Sequence, residues 1–263
     1  MQRAKEILSF YLASYWCNMK SFFTYRLQAA IWLIESTVQL VMNLVVVAVI
    51  YGISSGIPGW SYYQLLFLTY FASLTFSIVA VVATPWRLPQ DLRTGAFDSY
   101  MTKPYGLLTI MSAKYSSTTS LITGVFGSLV FLAYAAAHLS LPATFFVLAI
   151  PAYLVGMVAY FMFLQVLGVL SYVLIRSGSF INRAIGTMGT LSRYPLPVFG
   201  SSVQLLLTLL VPLGLAIYYP VEVLFGNVTP LSYVSFMALG AALSVAFYLL
   251  FNRLMRSYES GGG

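Results

Sequence analysis

The chain predicts an all-α integral membrane protein, an N-terminal interfacial helix followed by six transmembrane helices. Three observations carry that prediction. Of 263 residues, 60% are hydrophobic and 7% charged, against about 25% charged in a soluble domain; too little polar side chain is present to cover a water-facing surface. The apolar residues fall in runs of roughly 20, the length that crosses a bilayer core. Drawing six spans places all 13 Lys and Arg residues on one side: Arg3, Lys5, Lys20 and Arg26; Arg87, Arg93, Lys103 and Lys114; Arg176, Arg183 and Arg193; Arg253 and Arg256. The opposite connections carry only His138 and Glu222. The positive-inside rule then puts both termini in the cytoplasm of a multi-pass plasma-membrane (cell inner membrane) protein.

Each element follows from local pattern. In residues 1–26, Ile7, Leu8, Tyr11, Leu12, Tyr15 and Trp16 recur at helical spacing, the pattern of a helix lying at the headgroup level. This stretch lacks the clean apolar run and cleavage site of a signal peptide. The first span is 27–51. Its Glu35, Gln39 and Asn43 fall at i, i+4 and i+8 on one face, a stripe expected to face protein or a water-filled cavity as a pathway lining. Two readings of Glu35 stand: a working cavity carboxylate, or a structural one satisfied by neighbours. A Gly/Ser/Pro turn leads to the second span, 62–83, belted by Trp60, Tyr62 and Tyr63.

Residues 84–105 form the polar loop around which the rest is arranged. They hold Arg87, Asp91, Arg93, Asp98 and Lys103, with Lys114 just beyond. Pro85 and Pro89 stop the preceding span, and Gln90–Tyr100 is expected to form a short helix. The third span is 116–137 and the fourth 143–170, the latter interrupted by Pro151. Arg176–Phe199 reads as a second polar segment on the basic side. The fifth span is 202–217, and 218–230 reads as an outer re-entrant segment, too short to cross again and too apolar for an ordinary loop. The sixth span is 231–252. The whole chain, 1–263, forms one transmembrane domain.

The chemistry-bearing residues exclude several classes. The net charge of +7 comes with no basic, aromatic-interleaved patch of the size nucleic acid needs; it sets topology instead. Cys17 is the single cysteine, so an internal disulfide and a cysteine metal cluster are excluded. One histidine, no GxSxG elbow, no HExxH pair and no Walker A motif leave no enzyme reading and no ATP hydrolysis by this chain.

Three passages carry a resemblance: DLRTGAFDSYMTKPYG (Asp91–Gly106), LSRYPLPVFGS (Leu191–Ser201) and VPLGLAIYYPVEVLFG (Val211–Gly226). With the ending YESGGG they resemble the permease subunits of ATP-binding-cassette (ABC) transporters of the type-2 exporter class, over essentially the whole chain. The resemblance implies the type-2 exporter permease fold, with a coupling helix in the loop 84–105. That helix docks on a separate ABC ATPase subunit, two copies of which hold the ATP and Mg; this chain itself carries no cofactor. The docking contacts implied are Arg87, Gln90, Asp91, Arg93, Thr94, Phe97 and Asp98, with Phe97 as apolar anchor and the charges as orienting contacts. A second permease, identical or paralogous, completes the pathway for an amphipathic or hydrophobic compound such as a drug, lipid or natural product. The competing class is a stand-alone secondary carrier or channel that uses the Glu35/Gln39/Asn43 stripe.

Overall fold

The computed structural model describes residues 2–53, 56–82, 88–114, 117, 120–174 and 178–256. Among them every regular element is helical. Helix α1 (Gln2–Thr24) bends at Tyr25 into α2 (Arg26–Ile53), and α3 (Tyr62–Val82) returns beside it. Two short helices follow, α4 (Leu88–Arg93) and α5 (Asp98–Met101), then α6 (Leu107–Lys114). A π-helical stretch, Ser120–Val125, runs into α7 (Phe126–Ala136). The long α8 (Ala143–Leu174) is followed by α9 (Gly178–Leu191). Helix α10 (Ser201–Leu205) continues as a π-helical Leu206–Leu210. A second π-helical stretch, Gly214–Tyr218, leads into α11 (Tyr219–Leu224), and α12 (Pro230–Arg256) closes the fold.

Among the described residues, four helices are long and apolar enough to cross a membrane: Arg26–Ile53, Tyr62–Val81, Phe146–Leu170 and Pro230–Arg256. Counting the bent pair Ser201–Leu210 and Gly214–Leu224 as one crossing makes five. The expected fifth span, 202–217, is therefore not a straight helix. Its two legs meet at 83°, and the reason is Pro212. Proline donates no backbone N–H and pushes the residue before it out of the helical region; Val211 accordingly sits at φ −114°, ψ 87°. The return leg begins at Gly214, before the expected start of a re-entrant segment at 218. It is buried at Pro220, Val221, Val223 and Leu224, and Trp60 packs against both Tyr218 and Phe225. Part of the expected third span, residues 116, 118 and 119, lies outside the described residues.

Helix α8 is the axis of the packing. It lies along α12, along the leg 214–224 and against α9 and α4. At Gly156 the backbone of α8 meets the backbone of Leu215 so closely that a Cβ would overlap the Leu215 carbonyl. Without a hydrophobic drive between helices in lipid, such small-residue contacts supply the packing energy. On the other side of the bundle, Tyr70 of α3 stacks on Phe131 of α7 at 4.5 Å, and its hydroxyl donates to the Leu40 carbonyl of α2 at 2.8 Å. His138 is held in its turn, stacked on Tyr63 at 4.3 Å with Nδ1 2.9 Å from the Tyr134 carbonyl oxygen.

Candidate functional site

Two places gather the polar side chains. The first is the loop after α3. Its helices are amphipathic at short range: Leu88 and Leu92 sit four apart on α4 and are fully buried, while Gln90 and Thr94 face outward. Gly95 adopts φ +69°, a left-handed turn that glycine takes without steric penalty. That turn brings Phe97 inward. Phe97 is 0% exposed and belongs to a core with Leu88, Leu92, Tyr100, Ile110, Met111, Val166, Val169, Phe251 and Met255. The apolar anchor expected for a partner is thus spent inside this chain. The ends of α6, α8 and α12 are fused beneath the loop by that core.

Asp91 also turns inward. Its Oδ2 accepts the Tyr100 hydroxyl at 2.8 Å and pairs with Lys114 Nζ at 3.4 Å, while Lys114 lies 4.2 Å from the centre of the Tyr100 ring. A charge-assisted hydrogen bond of this kind contributes about 1.5–3 kcal/mol, the half-exposed ion pair less, about 0.2–1 kcal/mol. Asp98 is half-buried at the start of α5. Arg93 closes α4, and Arg87 lies outside the described residues. Of the expected docking residues, Gln90 and Thr94 present exposed faces. Helix α1 is tied to the same module: Phe10 stacks on Tyr105 at 4.9 Å, and Ser14 Oγ donates to the Ala113 carbonyl at 2.8 Å.

The second place is a cavity of about 320 Å³ between α2, α3 and the Ser120–Ala136 stretch. Glu35, Gln39 and Asn43 all line it. Gln39 Nε2 donates to Asn43 Oδ1 at 3.3 Å, Asn43 Nδ2 to Ser73 Oγ at 3.1 Å, and Ser73 Oγ to the Thr69 carbonyl at 3.1 Å. Ser73 and Ser77 face the stripe from α3, and Ser120, Gly124 and Ser128 face it from the helical stretch Ser120–Ala136. These are again four-residue spacings, the same signal that marks Glu35/Gln39/Asn43, and the sequence reading passed over them. Gly124 lets the two walls close, since a Cβ there would overlap the Ser77 side chain.

Arg193 lines this cavity too, which the sequence reading did not anticipate. It placed Arg193 in a polar loop on the basic side. Instead α9 runs along α3: Gly189 lies beside Phe76, and the Arg193 carbonyl accepts the Thr69 hydroxyl at 3.4 Å. Thr69 belongs to the half of α3 remote from the loop 84–105. The amphipathic spacing of Ile185, Met188 and Leu191, partly buried against the main core, carries α9 up the bundle and delivers Arg193 to the cavity wall.

Fold and sites together define a multi-span, all-helical membrane protein with a polar loop packed on its span ends. A family model described as ABC-2 family transporter protein matches residues 37–262. The chain belongs to that family, whose permeases work with an ABC ATPase. No curated protein and no solved structure matches the chain.

Proposed function

We propose that this chain is the membrane-spanning permease subunit of an ATP-driven exporter. It pairs with a second permease, identical or paralogous, and is driven by two ATPase subunits docking on residues 84–105. One observation carries the reading: the outward faces of α4 and its turn, Gln90 and Thr94, stand on a core shared by the ends of α6, α8 and α12. A load applied at that face is delivered to three helices at once, because packed cores transmit strain instead of absorbing it. The charges of Arg87, Arg93 and Asp98 are taken as its orienting contacts, the role that charged groups play at interface rims. Phe97 and Asp91 hold the loop to the permease and do not themselves touch the ATPase. The basic side, with the loop and both termini, faces the cytoplasm. Export of an amphipathic or hydrophobic compound from a bacterial inner membrane is the direction and cargo class this reading takes.

The test is co-purification. Tagged chain from gently solubilised membranes is compared with Gln90→Arg/Thr94→Arg, substitutions on exposed positions that leave the core intact. A stoichiometric ATPase retained by the wild type and lost from the double variant supports the reading. An intact, folded chain that brings down no ATPase overturns it.

A further inference from the structure

The polar cavity carries one acid and one base that do not meet. Glu35 and Arg193 both line it, yet no ion pair within 4 Å joins them. Their separation follows from the helices. Arg193 and Asn43 also line a second void of about 160 Å³ further along α2, and Glu35 precedes Asn43 by eight positions, a rise of ~12 Å. The carboxylate and the guanidinium therefore stand at different levels of one polar wall. Between them the wall is uncharged and hydrogen-bonding. Its buried member Ser128 is 0% exposed, and its Oγ has no hydrogen-bond partner among the described residues. Such a hydroxyl is rarely left unsatisfied. Unpaired charges at membrane depth are costly and face a pathway or a ligand.

We infer that this cavity binds the headgroup of a zwitterionic amphiphile. Arg193 takes the anionic group, for which its planar fork is suited, and Glu35 takes the cationic group beside the Trp32 ring, which also lines the cavity and attracts cations by its π face. The Ser128 hydroxyl bonds the polar atoms between. A purely anionic head would leave Glu35 facing like charge, and a purely cationic head would do the same to Arg193. The two charges thus select against both. This deepens the permease reading by naming a substrate class for it, and it rests on that reading only for the word substrate.

The experiment is equilibrium binding of tritiated dodecylphosphocholine, below its micellar concentration, to the purified chain in phosphatidylglycerol nanodiscs. Dodecyl sulfate, dodecyltrimethylammonium and dodecyl maltoside serve as same-chain competitors. Saturable binding at one site per chain is expected, with competitors at least tenfold weaker. Glu35→Gln and Arg193→Gln should each weaken the probe about tenfold, the loss of one charge-assisted contact. Glu35→Gln should in addition admit the sulfate, and Arg193→Gln the ammonium. Arg193→Lys keeps the charge and retains most of the binding, which guards against a misfolded Gln variant; Arg183→Gln, exposed on α9, leaves binding unchanged. Phosphatidylethanolamine added to the discs competes if bilayer lipid is the natural occupant and does not if a separate amphiphile is; either result retains the site. Equal binding of all four head types, or variants that bind as the wild type does, overturns the inference. No ATPase enters this assay, so its failure is distinct from failure of co-purification.

Discussion

Phe97 and Gln90 lie seven residues apart in one loop and have opposite fates. Phe97 belongs to a buried ten-residue core at the span ends, while Gln90 faces out. Truncating a buried Phe removes transfer energy and leaves a cavity, together about 3–5 kcal/mol; an exposed side chain away from any special feature matters within about 0.5 kcal/mol. Phe97→Ala is therefore expected to lower the melting temperature of the solubilised chain sharply and Gln90→Ala to leave it unmoved. Equal shifts would take Phe97 out of the core. The Asp91 clamp gives a finer test. Tyr100→Phe keeps the ring against Lys114 and Phe97 but removes the hydroxyl that Asp91 accepts, so a loss of about 1.5–3 kcal/mol is expected in the same measurement. Which of these residues turn inward was not legible in the sequence. The pattern shows a helix-capable polar segment, but the left-handed turn at Gly95 resets the helical phase between α4 and α5. Periodicity read straight through Gln90–Tyr100 puts Phe97 on the wrong face.

At the scale of elements, legibility follows continuity of the apolar pattern. Helices α2, α3, α8 and α12 are long, apolar and nearly unbroken, and their positions were read from run length alone. The region from 176 to 224 was not, because three short pieces with different roles share one composition. Arg176, Arg183 and Arg193 look alike in sequence, yet Arg193 ends on the far half of α3 because α9 packs along that helix. Glycine shows the same limit. Gly186 and Gly156 are both helical glycines, but nothing lies within 4 Å of a Cβ at 186, and the Leu215 backbone occupies that place at 156. Gly156→Val is expected to force α8 away from the leg 214–224 and destabilise by about 1–3 kcal/mol. Gly186→Ala gains helix propensity and is expected to stabilise by up to about 1 kcal/mol. Thermal unfolding of the two variants side by side decides it; a neutral Gly156→Val would mean that the two backbones do not touch.

For the whole molecule, the question is whether the loop and the spans move as one body. The core under the loop draws Val166 and Val169 from α8 and Phe251 and Met255 from α12, residues far apart in sequence. Amides in such a shared core open together, as a cooperative unit, and not helix by helix. Hydrogen exchange of the chain in nanodiscs is thus expected to show matched protection in 107–111, 166–169 and 247–255. Phe97→Ala, which touches the unit at the loop, should raise exchange in all three at once, by a factor set by the lost stability. Exchange raised in 88–101 alone would show that the loop is only draped on the spans. The distinction bears on the proposed drive, because a draped loop would dissipate a push from a docked ATPase by its own bending. A fused one converts the same displacement into motion of α8 and α12, and through the Gly156 contact into motion of the leg 214–224 at the opposite end. The polar cavity lies on the other flank of α3, lined by α2 and by Arg193 at the end of α9. Motion of α8 reaches it through α9, which packs on both α8 and α3. Raised exchange in 185–191 in the Phe97→Ala chain would trace that route, and unchanged exchange there would leave the cavity mechanically separate from the loop.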